Sequence, residues 1–214
     1  MKSVGVVNKM NQSENEVKQV AEKRLGLVIG VHTLSLLAAA AFPEGRFLFW
    51  LPILLAVEGL IVFHLLRLWK RYKYQSKHYY TINMYWFLIG LNIFASLPIL
   101  RLCYGTPYFW LILPLMIIVF LYAHFIREKI LVLFVSPSKV KTLYRLPVLM
   151  RIFVVVSIFM LIFLQMKSFH PNFGLSIFVY FVSVGLLYIA TPFSIPVDQI
   201  EQVKKENGFV EYSS

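Results

Sequence analysis

Six apolar stretches alternate with polar or basic connections along the 214-residue chain. They lie near residues 25–42, 47–66, 82–102, 107–126, 148–166 and 173–191. Each is close to the ~20 residues that cross a hydrocarbon core of about 30 Å. Hydrocarbon offers a backbone amide no partner, so continuous apolar runs of this length predict α-helices. A β-barrel would need short alternating segments, and these runs do not alternate. The pattern predicts an all-α, polytopic membrane protein with six transmembrane helices arranged as three hairpins. The expected division is a cytoplasmic segment 1–24, a hairpin 25–67, a basic loop 68–81 and a hairpin 82–127. An interfacial segment 128–147, a third hairpin 148–191 and a cytoplasmic tail 192–214 follow.

The first two hairpins resemble each other. Sliding the chain 60 positions along itself pairs Ile29 with Ile89, Gly30 with Gly90, Leu37 with Leu97 and Gly45 with Gly105. Phe49-Trp50-Leu51 then meets Phe109-Trp110-Leu111, Leu55 meets Leu115, His64 meets His124, and Arg67 meets Arg127. These are 10 identities over residues 29–67, where composition alone gives about three, and rare residue types match along with leucine. With two helices per repeat, both copies enter the membrane in the same direction, as a parallel tandem repeat about the membrane normal. The third hairpin lacks the Trp, His and Arg markers in register.

The connections differ on the two sides. Pro43-Glu44-Gly45-Arg46 and Tyr104-Gly105-Thr106-Pro107 predict tight turns, and Ser168 to Asn172 joins the last two stretches. On the other side, Ser13-x-x-Glu16 is a capping-box pattern that predicts a short surface helix over 14–24. After Thr191-Pro192, Pro196, Asp198 and Gly208 mark the start, first turn and stop of an amphipathic helix with Ile200 and Val203 on one face.

Composition supports the membrane reading: 59% of residues are hydrophobic and only 14% charged. A soluble chain of this size would need a far more polar surface. The net charge of +11 is asymmetric, with 18 of the 21 basic residues on one side of the spans. Only Arg46, Arg101 and Lys167 fall on the other. The positive-inside rule places both termini in the cytoplasm. This distribution points to anionic lipid headgroups, not nucleic acid, as the partner of the charge. The charged first 24 residues do not resemble a cleaved signal, and the expected location is a bacterial cell membrane. The single Cys103 excludes an intramolecular disulfide and a cysteine-based metal cluster.

Few residues carry chemistry. Glu58 lies nine positions before Arg67, so ~13 Å from the inner edge, where a carboxylate is costly. His32, eight positions after Arg24 on the neighbouring antiparallel stretch, shares that depth, as does its repeat partner Asn92. The three are a candidate intramembrane polar cluster, either a solute or proton site or a structural network fixing helix packing. His64 with Arg67, and His124 with Arg127, share helix faces at the inner edge. Each pair fits a lipid phosphate, and the two histidines together would be a minimal ligand set for a b-type haem. The bland alternative is a pair of interfacial histidines and snorkelling arginines, opposite Trp50 and Trp110 in an outer aromatic belt.

No phosphate-binding loop, zinc-protease or serine-hydrolase motif is present, and the chain has 10 acidic residues. No cofactor, metal site or catalytic residue is expected. The reading is of a non-catalytic accessory, regulatory or protective membrane component, acting on a membrane-protein partner or a second copy through its helix faces and cytoplasmic loops. A small-solute, ion or lipid transporter using the polar cluster is the first alternative, and the haem protein the second.

Overall fold

A computed structural model describes residues 2–135 and 171–206. Within them the chain forms α1 (Lys2–Ala41), α2 (Phe47–Tyr72), α3 (Ser76–Cys103), α4 (Phe109–Phe125) and α5 (Arg127–Val135). After residues 136–170 come α6 (Pro171–Ala190), a 3-10 turn (Thr191–Ser194) and α7 (Val197–Glu206). Four helical segments are long and apolar enough to cross a membrane: Glu16–Ala41, Phe47–Tyr72, Lys77–Cys103 and Asn172–Ser194. Helices α4 and α5 together make a fifth if the 55° bend between them is taken as a break within one span. The predicted stretch 148–166 and the stop at Gly208 lie outside the described residues.

Helix α3 is the hub. One side packs against α1 and α2, where Leu36, Leu54, Leu65 and Phe94 are completely or almost completely buried. The other side packs against α6 along its length and more thinly against α4. Cys103 and Ile99 meet Ile177 at one end, and Leu88 and Ile89 meet Leu187 and Ala190 at the other, so α3 and α6 are antiparallel. Helix α4 also runs antiparallel to α3, with Phe109 at the Cys103 end and Ala123 beside Leu88. Its outer face, including Trp110, Ile118 and Phe125, is exposed.

At the Cys103 end, the turns before α2 and α4 each contain a glycine in the left-handed region, Gly45 at φ 98° and Gly105 at φ 84°. A side chain is strained there, which is why glycine serves both turns. At the opposite end, α5 turns away from α4 and lies against the start of α7. Leu131, Val135 and Ile195 form a small core onto which Ile200 and Val203 pack.

Two expectations change. The capping box at Ser13 starts no helix, because α1 runs unbroken from Lys2 to Ala41. The basic loop between the first two hairpins shrinks to Lys73–Gln75, because α2 continues past Arg67 to Tyr72. Lysine and arginine are good helix formers, so the charge that ends a hydrophobic run does not end the helix. The expected interfacial segment begins as a true helix, α5, as far as it is described.

Candidate functional site

His32 reaches from α1 toward Gly90 of α3 because the helix presents no side chain there. A Cβ on Gly90 would overlap the imidazole ring. Phe87 stacks on the ring at 5.8 Å between centroids, and Phe94 meets it edge-on at 6.0 Å. The histidine is wholly buried. Its Nε2 lies 2.9 Å from the Phe87 carbonyl oxygen. A carbonyl can only accept, so this nitrogen carries a proton and donates it.

That assignment leaves Nδ1 facing α2. Glu58 Oε2 lies 3.6 Å from Nδ1, and the Glu58 side chain is 9% exposed. The distance is wider than a hydrogen bond. Neither Glu58 oxygen nor His32 Nδ1 has a hydrogen-bond partner among the described residues. With Nε2 already protonated, one further proton satisfies Nδ1 and Oε2 together, either as a carboxylic acid donating to imidazole or as an imidazolium beside a carboxylate. The structure thus brings together two of the three residues of the predicted cluster.

Asn92 faces elsewhere. It is two positions from Gly90, which rotates its side chain about 200° around α3. Its Nδ2 donates to the Ser183 carbonyl at 2.7 Å and to Ser183 Oγ at 3.0 Å on α6. Ser96 Oγ donates to the Asn92 carbonyl at 2.5 Å and sits 2.7 Å from Ser183 Oγ, which therefore donates to it. Three buried side chains are thus joined to one another between α3 and α6.

His64 and His124 have different neighbours. His64 lies against Trp86 at 4.5 Å, whereas His124 is bonded to Tyr85. His124 Nδ1 donates to Phe120 O at 2.9 Å, so Nε2 accepts from the Tyr85 hydroxyl at 2.9 Å. Both ring nitrogens are engaged, and the Tyr85 and Trp86 rings stand 5.7 Å apart in the chain of contacts between the two histidines. A haem held by both histidines would have to displace the Tyr85 hydroxyl from His124 Nε2. Arg127 Nη1 is 3.4 Å from Ser194 Oγ, while Arg67 is exposed on α2.

Arg101, whose guanidinium makes several hydrogen bonds, was not among the candidates. Arg101, buried near the end of α3, donates through Nη1 to the carbonyls of Ala39, Ala40 (2.7 Å) and Phe42 (2.9 Å). Through Nη2 it donates to those of Pro43 (3.0 Å) and Gly45 (2.8 Å). These oxygens belong to the last turn of α1 and the turn that follows, where helical carbonyls lose their partners and the helix dipole is negative. The guanidinium ties the first hairpin to α3. Its sequence signal was position: it is one of only three basic residues on the sparsely charged side.

Among the described residues, no group of three or more His, Cys, Asp or Glu side chains could hold a metal ion. Compared with protein-family models, with curated proteins and with solved structures, the chain matches none.

Proposed function

We propose that this chain is a six-span protein of a bacterial cell membrane, with both termini cytoplasmic. Chain continuity supports the sixth crossing. Val135 packs beside Ile195 at the end where α3 begins, whereas Phe173 packs beside the Cys103 end. These two described ends lie at opposite ends of the bundle, and residues 148–166 are an apolar stretch long enough in sequence to cross a membrane. The matching left-handed glycines at positions 45 and 105 support the tandem repeat, as does the antiparallel course of each hairpin. Beyond Phe125 the copies diverge, α2 running on straight where α4 gives way to α5.

Within that frame, we infer a non-catalytic accessory or regulatory role, exerted on a membrane-protein partner or a second copy. The observation that carries it is the bonding of the buried polar side chains. Arg101, Asn92, Ser96 and Tyr79 each bond to another helix or its turn, and so hold α3 in place. Side chains engaged in this way fix a rigid bundle, and its exposed apolar faces are left to meet lipid or another protein. Photo-crosslinkers placed at Leu111, Ile118 and Phe63 in native membranes test this. Discrete protein adducts from one face are expected, and lipid adducts alone from all three positions would contradict it.

The His32–Glu58 pair favours a second reading, in which a proton or small cation is bound within the bundle. It rests on the unpartnered oxygens of Glu58. Loss of activity in Glu58→Gln with unchanged expression and stability would establish it over the first.

A further inference from the structure

Where α5 bends away from α4, it opens a cleft of about 450 Å³ against the 3-10 turn, α7 and the first turns of α3. This volume is in the usual range of small-molecule sites. Its interior is apolar, built by Leu131, Val135, Ile189 and Phe193. Its rim is not. Lys77 and Lys204 line it, Lys77 reaches Glu201 Oε1 at 3.3 Å, and the hydroxyl-bearing Tyr80 and Thr81 complete that side. Behind Tyr80, the Arg24 guanidinium stacks over the phenol ring at 4.8 Å. Two cations, Lys77 and Lys204, thus line the opening against the one carboxylate of Glu201, and the rim carries a net positive charge.

We propose that this cleft binds one phospholipid with an anionic headgroup, its acyl chain lying on the apolar floor and its phosphate on Lys204 and Lys77. The proposal uses the reading that this end of the bundle is the cytoplasmic one, where anionic lipid and basic side chains meet. An apolar interior with a cationic rim at the depth of the headgroups complements such a lipid in both its parts. A soluble anion would leave the floor uncovered, and an uncharged lipid would leave the net positive charge of the rim unmatched. The site is distinct from the His64/Arg67 and His124/Arg127 edges, which lie on α2, α4 and the start of α5.

The full chain is placed in nanodiscs of phosphatidylcholine containing phosphatidylglycerol, and lipid retained after mild transfer to detergent is counted by native mass spectrometry. One phosphatidylglycerol should be retained selectively. Lys204→Gln and Lys77→Gln should each weaken its retention by about fivefold, the effect of one basic residue near an anionic surface. Val135→Trp, which fills the floor without changing charge, should abolish it. Lys70→Gln and Arg71→Gln, exposed on α2, remove equal charge elsewhere and should leave retention unchanged. Equal retention of the two lipids, or equal loss in the α2 variants, would overturn the proposal. Displacement by glycerol phosphate alone would do the same, because it would show a site for free phosphate. Failure to insert into nanodiscs at all would instead count against the membrane reading beneath it.

Discussion

The two faces of α3 solve the problem of buried polarity in opposite ways. Toward α6, Asn92, Ser96 and Ser183 are joined to one another by hydrogen bonds. Toward α1 and α2, His32 has one nitrogen satisfied by Phe87 and the other left facing a carboxylate 3.6 Å away. An amide–hydroxyl network does not ionise at neutral pH, and here its bonds hold helices together. An imidazole–carboxylate pair shares a proton whose position is free to change, so packing and chemistry remain open to it. The difference lies in the residue types, since both sites are buried and both bridge helices.

The largest expected effect comes from closing the space that separates the two faces. Gly90→Ala would drive a methyl group into the His32 ring and should destabilise the protein by ~1–3 kcal/mol, the usual cost of overpacking. Its repeat partner Gly30 has open space where a Cβ would stand, so Gly30→Ala should be neutral or slightly stabilising. Thermal unfolding of both variants in nanodiscs checks the contrast, and equal losses would remove Gly90 from the account of how His32 is seated.

Breaking the amide–hydroxyl face should cost somewhat less. Ser183→Ala removes the hydroxyl through which Asn92 and Ser96 are joined, and losses of ~1–2 kcal/mol are expected for interhelical bonds in a membrane. Because the members act as one network, the double variant Asn92→Ala with Ser183→Ala should lose less than the sum of the two single losses. Strict additivity would show that the three side chains are neighbours without being coupled.

How far these features could be read from the residues depends on whether depth or direction was needed. Four of the predicted spans coincide with described helices long and apolar enough to cross a membrane, because a long apolar window is a one-dimensional signal. The approach of His32 to Glu58 was legible for the same reason: counting from Arg24 and Arg67 puts both at one depth on adjacent antiparallel helices. Asn92 had the same depth but a different azimuth, and a repeat equivalence says nothing about which neighbour a face will meet. Arg101 was hidden because its partners are backbone carbonyls, which no residue pattern encodes. The unbroken run of α1 through Ser13 has a further cause, since a capping box permits a helix to start without preventing an earlier start.

A smaller effect is expected at the inner edge. Tyr85→Phe removes the donor to His124 Nε2 and should cost ~0.5–1 kcal/mol, while leaving His64 against Trp86 undisturbed. The same variant bears on the haem alternative. Protein purified from haem-replete cells should lack a Soret band, and a band that changes with His124→Ala would contradict the assignment of both ring nitrogens to protein partners.

The most direct test compares Glu58→Gln with Glu58→Ala and the wild type, scoring thermal stability in nanodiscs and restoration of the phenotype of a deletion strain. A glutamine amide can donate to His32 Nδ1 and so supplies the proton that the pair shares. If the pair serves packing, Gln should keep both stability and function, whereas Ala should lose ~1–3 kcal/mol by leaving buried polar atoms unanswered. A Gln variant that folds and melts like wild type yet fails to restore the phenotype would contradict the non-catalytic account and make Glu58 the working residue of the protein.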